Sequence, residues 1–154
     1  MRVMYEKLDR SSEILETPAD EYLSQLVDAI SEIFYGSDDT IFEKELGKFS
    51  LPSEILFPLG IIVNEILTNT MKYAFPDEQE EKCIFLKTSR EGQKVKILLR
   101  DNGRGFPDGR DGQATAGSGG FGMELIKQLA EQLHGGVEFY NDGGAAVKLE
   151  FELR

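Results

Sequence analysis

The sequence is poor in cysteine, in basic residues and in long apolar runs. Its one cysteine, Cys83, cannot form an internal disulfide and is most simply a small core residue. Lys and Arg number 17 against 28 Asp and Glu, and the net charge of -11 argues against nucleic acid as a partner, because binding to a phosphate backbone needs a basic surface. No apolar run approaches the roughly 18 residues that span a bilayer, and there is no signal peptide. We therefore expect a cytoplasmic chain without direct membrane contact.

Two common nucleotide-binding motifs are also absent. The chain has no G-x-x-x-x-G-K-[ST] P-loop, and no G-x-G-x-x-G that follows a strand and opens a βαβ unit. The run from Gly117 to Gly122 has enough glycines for a loose match, but loop residues precede it, so a Rossmann fold is rejected. With 154 residues, of which 40% are apolar, the chain supports one domain with a sizeable core.

The first candidate site motif is helix-like and runs from Asn64 to Tyr73. At about 100° of rotation per residue, Glu65, Asn69 and Lys72 share one helix face. The opposite side is apolar and consists of Leu56, Val63, Leu67 and Ala74. Carboxylate and amide oxygens suit Mg²⁺, and a lysine one turn on can meet a phosphate. Taken alone, this motif fits an ordinary solvated helix face better than a binding site.

The second motif follows a predicted strand, Lys94 to Arg100, so that Asp101 lies where the strand ends. Gly103 and Gly105 allow backbone conformations closed to other residues and a close approach to a flat ligand. A carboxylate at this point could accept a hydrogen bond from an exocyclic amine such as adenine N6. The alternative is an ordinary Asp-Asn-Gly turn, and the motif alone does not decide between the two.

The third motif, Gly117 to Met123, runs directly into a predicted helix. Free backbone N–H groups and the positive end of the helix dipole make such a junction a phosphate site. A flexible glycine-rich linker is the alternative. It is weakened because the glycines stand against a helix rather than between two domains. Together, the three motifs predict an ATP site.

Hydrophobic periodicity predicts the remaining helices and strands, and Glu91-Gly92 predicts a hairpin turn. The segment from Phe106 to Gly120 is too long and too polar for an ordinary connection, which predicts a lid over ATP. The predicted strands are Thr40 to Leu46, Lys82 to Ser89, Lys94 to Arg100, Gly136 to Tyr140 and Ala146 to Leu153. The predicted helices are Asp20 to Phe34 and residues 53–74 and 121–134.

In this order, the three motifs resemble the N-box, the D-x-G-x-G box and the final glycine box of the ATPase superfamily shared by histidine kinases, gyrase, mismatch-repair ATPases and the large heat-shock chaperones. The run from Pro58 to Glu65, continued by Lys72 to Pro76, is most similar to the catalytic domain of one subfamily of bacterial sensor histidine kinases. The likeness covers residues 17–154. It implies a Bergerat-type ATP-binding fold, an α/β (α+β) two-layer sandwich in which about three helices cover one face of a mixed, mostly antiparallel sheet of about five strands.

The resemblance also implies roles for individual residues. Asn69 would coordinate the Mg²⁺ of bound ATP, Lys72 and Tyr73 would lie near the phosphates, and Asp101 would read the adenine amine. Glu65 matches the water-activating glutamate of superfamily hydrolases, and in a kinase it would serve as metal or proton partner. Glu65, Asn69 and Lys72 form the predicted catalytic set. The other implied cofactor contacts are Gly103, Gly105, Phe106, Gly120, Phe121, Gly122 and Met123.

Three features of the sequence limit which family properties carry over. Where the family commonly has a threonine, this chain has Ala145 after Gly143-Gly144, so a water-mediated adenine contact is not carried over. The only histidine, His134, ends a predicted helix, where a structural or dipole-compensating role is favoured over catalysis. Residues 1–16 resemble a remnant of the helix that ends the dimerisation and phosphoacceptor domain, so we expect a catalytic fragment without its own acceptor.

The function predicted on these grounds is transfer of the ATP γ-phosphate to a histidine on a separate domain of the same or a partner chain. The resemblance adds a downstream response regulator, and hence two-component signalling. Two alternatives stay open: an ATP hydrolase that uses Glu65 as base, and a non-catalytic regulatory module that binds nucleotide.

Overall fold

The computed structural model describes residues 16–34, 40–76, 78–107 and 120–153, which form an α/β sandwich. The helices in these residues are α1 (Ala19–Phe34), α2 (Ser53–Asn69) and α3 (Gly120–Gln132), and a π-helical turn (Thr70–Ala74) continues α2. The strands are β1 (Glu16–Pro18), β2 (Ile41–Leu46), β3 (Ser50–Pro52), β4 (Cys83–Glu91), β5 (Lys94–Asp101), β6 (Gly135–Asn141) and β7 (Ala145–Glu152). None of the described helices is long and apolar enough to cross a membrane.

The main sheet has five strands in the order β2-β4-β5-β7-β6. β2 runs parallel to β4, and the other neighbours are antiparallel. The predicted mixed, mostly antiparallel sheet is therefore confirmed, and each predicted strand begins and ends within two residues of an observed one. β1 and β3 pair in a separate two-stranded sheet that the sequence analysis missed, because three residues are too few to show alternation.

The predicted hairpin joins β4 to β5. Glu91 pairs with Lys94, and the two residues between them form the turn, in which Gly92 has a φ of 62°. A positive φ at this position suits glycine, because it has no Cβ to clash with the backbone. This turn sets the register in which β5 delivers Asp101 to the far end of the sheet.

The helices cover one face of the sheet, and the core lies between the two layers. On β5 the alternate residues Val95, Ile97 and Leu99 are buried, as a strand with one covered face requires. α1 packs on α2 so closely that a Cβ added at Gly60 would collide with the Tyr22 hydroxyl. The predicted apolar side of α2 is confirmed, since Leu56, Val63, Leu67 and the following Ala74 are all buried.

We predict that α2 contributes to stability through its buried side only. Leu59 is 0% exposed and Phe57, on the same helix, is 69% exposed. Leu59→Ala should lower the free energy of unfolding by about 2–5 kcal/mol, because it leaves a cavity in the core. Phe57→Ala, the matched control, should change it by about 0.5 kcal/mol or less. Urea denaturation measures both values, and equal losses would contradict this orientation of α2.

Candidate functional site

A cavity of about 290 Å³ opens where the end of α2 meets the end of β5. Its polar wall includes Asn69, Thr70, Lys72, Tyr73, Arg100, Asp101 and Arg104. Its apolar wall includes Ile84, Leu99, Met123, Ile126, Phe139 and Val147, which come from the sheet and from α3. A mostly apolar cleft with a few convergent polar groups is the usual form of a small-molecule site.

The end of α2 supplies one side of the polar wall. Asn69 is the last residue of α2, and Lys72 and Tyr73 lie in the π-helical turn that follows; all three line the cavity. Glu65, one turn earlier on α2, is half-buried and is not among the lining residues. The spacing of about 100° per residue predicted one common face for Glu65, Asn69 and Lys72. In the structure this spacing holds only up to Asn69, because the wider π-helical turn begins at Thr70. π-helical turns of this kind occur frequently at functional sites.

Asp101 is the buried acid of the cavity wall, with 7% of its surface exposed. Its Oδ1 accepts hydrogen bonds from the backbone N–H of Gly103 at 2.8 Å and of Ala145 at 3.2 Å. Burial raises the pKa of Asp101 above its ordinary 3.8, while these two bonds and one with the Thr70 side chain oppose the rise. Two effects thus oppose each other: burial disfavours the ionised carboxylate, and the hydrogen-bond donors favour it.

The loop after Asp101 fits tightly against the π-helical turn. The Arg104 N–H donates to the Ala74 carbonyl at 2.8 Å. A Cβ added at Gly103 would collide with the same carbonyl, so this glycine permits a close backbone approach within the protein. Gly105 has a φ of 79°, as the predicted glycine conformation requires.

Hydrogen bonds of the Asn102 side chain connect residues 79–83, which precede β4 and begin it, to the end of β5. Asn102 Oδ1 accepts from the Cys83 N–H at 2.8 Å and from Gln79 Nε2 at 3.2 Å. Asn102 Nδ2 donates to the Glu81 carbonyl at 3.0 Å. These bonds connect the segment that follows the π-helical turn to Asn102, the residue directly after Asp101.

The predicted glycine box is described only in its last residues. Gly120, Phe121 and Gly122 lie in the first turn of α3, and the buried Met123 lines the cavity, so the N-terminal turn of α3 lies beside the site. Residues 117–119, most of the predicted lid and nearly all of the predicted remnant helix at 1–16 lie outside the described residues. His134 follows α3 with a φ of 62° and an N–H that donates to the Glu131 carbonyl at 2.9 Å, which is a helix-ending conformation.

Sequence reasoning missed two contributors to the polar wall. Thr70 directly follows Asn69, and its position was the available signal. Ala145 attracted notice only for its side chain, whereas the structure uses its backbone N–H as a donor to Asp101. No sequence pattern could reveal that contact, because it depends on the pairing of β5 with β7.

Comparison with known families and proteins agrees with this geometry. Residues 40–151 match the model of the family described as the histidine kinase-like ATPase domain. Blue-light-activated histidine kinase 2 of Erythrobacter litoralis is 23% identical over 158 residues, which cover 99% of this chain and 44% of that protein. The sensor histidine kinase PdtaS of Mycolicibacterium smegmatis is 27% identical over 138 residues, which cover 85% of this chain and 27% of that protein. The chain thus spans less than half the length of these relatives.

Solved structures show the same fold. The histidine kinase domain of the Erythrobacter litoralis EL346 blue-light-activated kinase superposes with a TM-score of 0.75 at 25% identity, over 88% of this chain and 61% of that one. The mycobacterial sensor histidine kinase MprB superposes with a TM-score of 0.68 at 16% identity, over 89% of this chain and 95% of that one, a likeness in fold.

We predict that Asp101→Asn stabilises the fold at neutral pH. Asparagine keeps an oxygen for the two N–H donors and removes the buried charge. Because the folded-state pKa of Asp101 is raised, its carboxyl contributes fully to the stability of the wild-type protein below the ordinary pKa of 3.8, and this contribution is lost as the pH rises through the folded-state pKa. The free energy of unfolding of Asp101→Asn, relative to the wild type, should therefore increase between these two pKa values. The increase is about 1.4 kcal/mol for each tenfold difference between the folded and unfolded ionisation constants.

Urea denaturation at a series of pH values, from below 3.8 to neutral, measures this gain. Asp28→Asn is the matched control, because Asp28 is exposed and pairs with Lys44 at 2.7 Å, away from the cavity-lining residues. Asp28→Asn should show no such gain. A variant at Asp101 that is destabilised over the whole range would contradict the prediction.

Proposed function

The chain belongs to the histidine kinase-like ATPase family, and from this premise we propose that it binds Mg-ATP and transfers the γ-phosphate to a histidine on a separate dimerisation domain. The observation that carries the proposal is that Asp101 and the end of α2 with Asn69 and Lys72 share one cavity. This places a buried hydrogen-bond acceptor and a set of phosphate-compatible groups on the wall of the same site.

The adenine is proposed to lie against Asp101. Oδ1 accepts from two backbone donors, and the carboxylate also bonds the Thr70 side chain. An ionised carboxylate offers about four lone-pair sites, so it can accept from an exocyclic amine while these three bonds stay in place. The apolar side chains of Ile84 and Leu99 provide the dry surface that a flat base needs.

The phosphates are proposed to lie toward Asn69, Lys72 and Arg104. The donor set fits Mg²⁺, because Asn69 and Glu65 offer the amide and carboxylate oxygens that a hard cation prefers. The described residues contain no group of three or more His, Cys, Asp or Glu side chains that could hold a metal ion by themselves, so water and phosphate oxygens would complete the coordination. Bound Mg²⁺ would supply neutralisation of the phosphate charge.

Catalysis in this proposal is mainly positioning. Asn69 and Lys72 hold the phosphate chain, and the nucleotide is fixed at its other end by Asp101, so that the terminal phosphate is presented in one direction. The imidazole nitrogen of the acceptor forms the new N–P bond while the P–O bond to the ADP oxygen breaks. Glu65 is proposed to act as metal or proton partner, and it lies one helical turn before Asn69.

The partners follow from the same proposal. The relatives named above are sensor kinases, so we propose a phosphoacceptor domain, on the same or a partner chain, and a downstream response regulator. A cytoplasmic location remains a prediction. Glu65 is not among the cavity-lining residues, so the cavity favours neither its role as metal or proton partner nor its role as the base of a hydrolase.

We predict saturable binding of a non-hydrolysable ATP analogue, stronger with Mg²⁺ than without. Asp101→Asn should weaken this binding about 10- to 100-fold, because it replaces a charged acceptor that is worth about 1.5–3 kcal/mol. Isothermal titration measures the affinities. Asp28→Asn removes the same charge away from the cavity and should bind like the wild type. Equal affinity of all three proteins, or no binding at all, would refute the adenine site.

We predict that the chain labels a supplied dimerisation domain when it is incubated with γ-labelled ATP. Asn69→Ala should slow labelling about 100-fold or more, because the phosphates lose their alignment. Asn64→Ala is the control, since Asn64 lies on the same helix and is not among the cavity-lining residues. Release of free phosphate without labelling, abolished by Glu65→Ala, would favour the hydrolase instead.

A further inference from the structure

Asn141 lies at the end of the edge strand β6 and makes an unusual two-way contact with the loop that follows Asp101. Its Oδ1 accepts from the Phe106 N–H at 2.7 Å, and its Nδ2 donates to the Phe106 carbonyl at 3.1 Å. A single side chain thus satisfies both backbone groups of one residue, as a neighbouring strand would do.

The residues on the far side of this contact belong to the cavity. Gly105 and Phe106 both line it, and the Phe106 ring meets the Phe139 ring edge-on at 6.0 Å and 87°. Phe139 lies two residues before Asn141 on β6, so both side chains project from the same face of the strand. A Cβ added at Gly105 would stand 2.8 Å from Asn141 Oδ1, so loop and side chain are in close contact.

The strand partner of Asn141 holds the other end of the same loop. Asn141 pairs with Ala145 across β6 and β7, and the Ala145 N–H donates to Asp101 at 3.2 Å. The β6–β7 hairpin therefore contacts both ends of the loop. The Ala145 N–H bonds Asp101 at the start of the loop, and the Asn141 side-chain amide bonds Phe106 at its end.

We propose that Asn141 is a positioning residue for nucleotide binding, which holds Gly105 and Phe106 in the conformation that forms the cavity wall. The proposal deepens the proposed function and rests on it. Asn141 need not touch the nucleotide, because its effect passes through the backbone of Phe106. Without the two hydrogen bonds, the loop populates other conformations, and the apparent affinity falls in proportion to the fraction of molecules that stay competent.

The test combines nucleotide affinity with hydrogen exchange on the full chain. Asn141→Ala removes both bonds and should weaken binding of the ATP analogue about 10-fold, the scale set by two neutral hydrogen bonds. Exchange at the Phe106 amide should accelerate, while the β4–β5 hairpin keeps its protection. Asn141→Asp has the same length, keeps the Oδ1 acceptor for the Phe106 N–H and loses the donor to the Phe106 carbonyl, so it should fall between the wild type and the alanine variant in both measurements.

Glu138→Ala is the matched control, because Glu138 is an exposed residue of the same strand and is not among the cavity-lining residues. It should leave both the affinity and the exchange of Phe106 unchanged. Thermal unfolding identifies variants that fold poorly, and if the alanine variant does so, the aspartate variant provides the test.

Three outcomes would overturn the inference. If Asn141→Ala binds the ATP analogue as tightly as the wild type although Phe106 exchanges faster, the contact holds the loop without affecting nucleotide binding. Unchanged exchange would mean that the bonds do not protect the amide in solution. Absence of binding by the wild-type chain would overturn the proposed function first, and the exchange result would still show whether Asn141 holds the loop.

Discussion

The site depends on one buried carboxylate. A charged group removed from water must regain hydrogen bonds from the protein, and Asp101 does so from three different segments. The donors are the Gly103 N–H in the following loop, the Ala145 N–H at the start of β7 and the Thr70 side chain in the π-helical turn. These segments must converge to satisfy the acid, and the cavity is the space that remains where they meet. The position of the cavity is therefore set by the hydrogen bonds that the Asp101 carboxylate requires.

Convergence on Asp101 requires residues that leave room for backbone contact. A Cβ at Gly103 would collide with the Ala74 carbonyl, and a Cβ at Gly144 would collide with the Asp101 carbonyl. Gly144 also has a φ of 151°, which L side chains rarely adopt. The same packing costs stability, because burial raises the pKa of Asp101 and so disfavours the charged form that would bind an amine. A residue that lowers stability in this way is a candidate for a functional role, because natural proteins trade stability for activity at such positions.

The elements of the main sheet could be predicted because each strand carries its own alternating pattern, as Val95, Ile97 and Leu99 do on β5. The end of β5 at Asp101 could be predicted as well, because glycines follow it directly. The π-helical turn at Thr70–Ala74 could not be predicted, because a local change to the wider π-type hydrogen bonding leaves no mark in the hydrophobic pattern. The contacts of Ala145 and Asn141 were equally out of reach, since they arise from strand pairing between distant parts of the chain.

The charge distribution bears on the proposal that so acidic a chain binds an anionic ligand. The net charge of -11 repels phosphate at long range, but salt screens charges beyond about 8–10 Å. Within the cavity, Lys72 and Arg104 are local cations and Asp101 is a local acid. A ligand that carries both an amine and phosphates could therefore meet groups of both signs within the cavity.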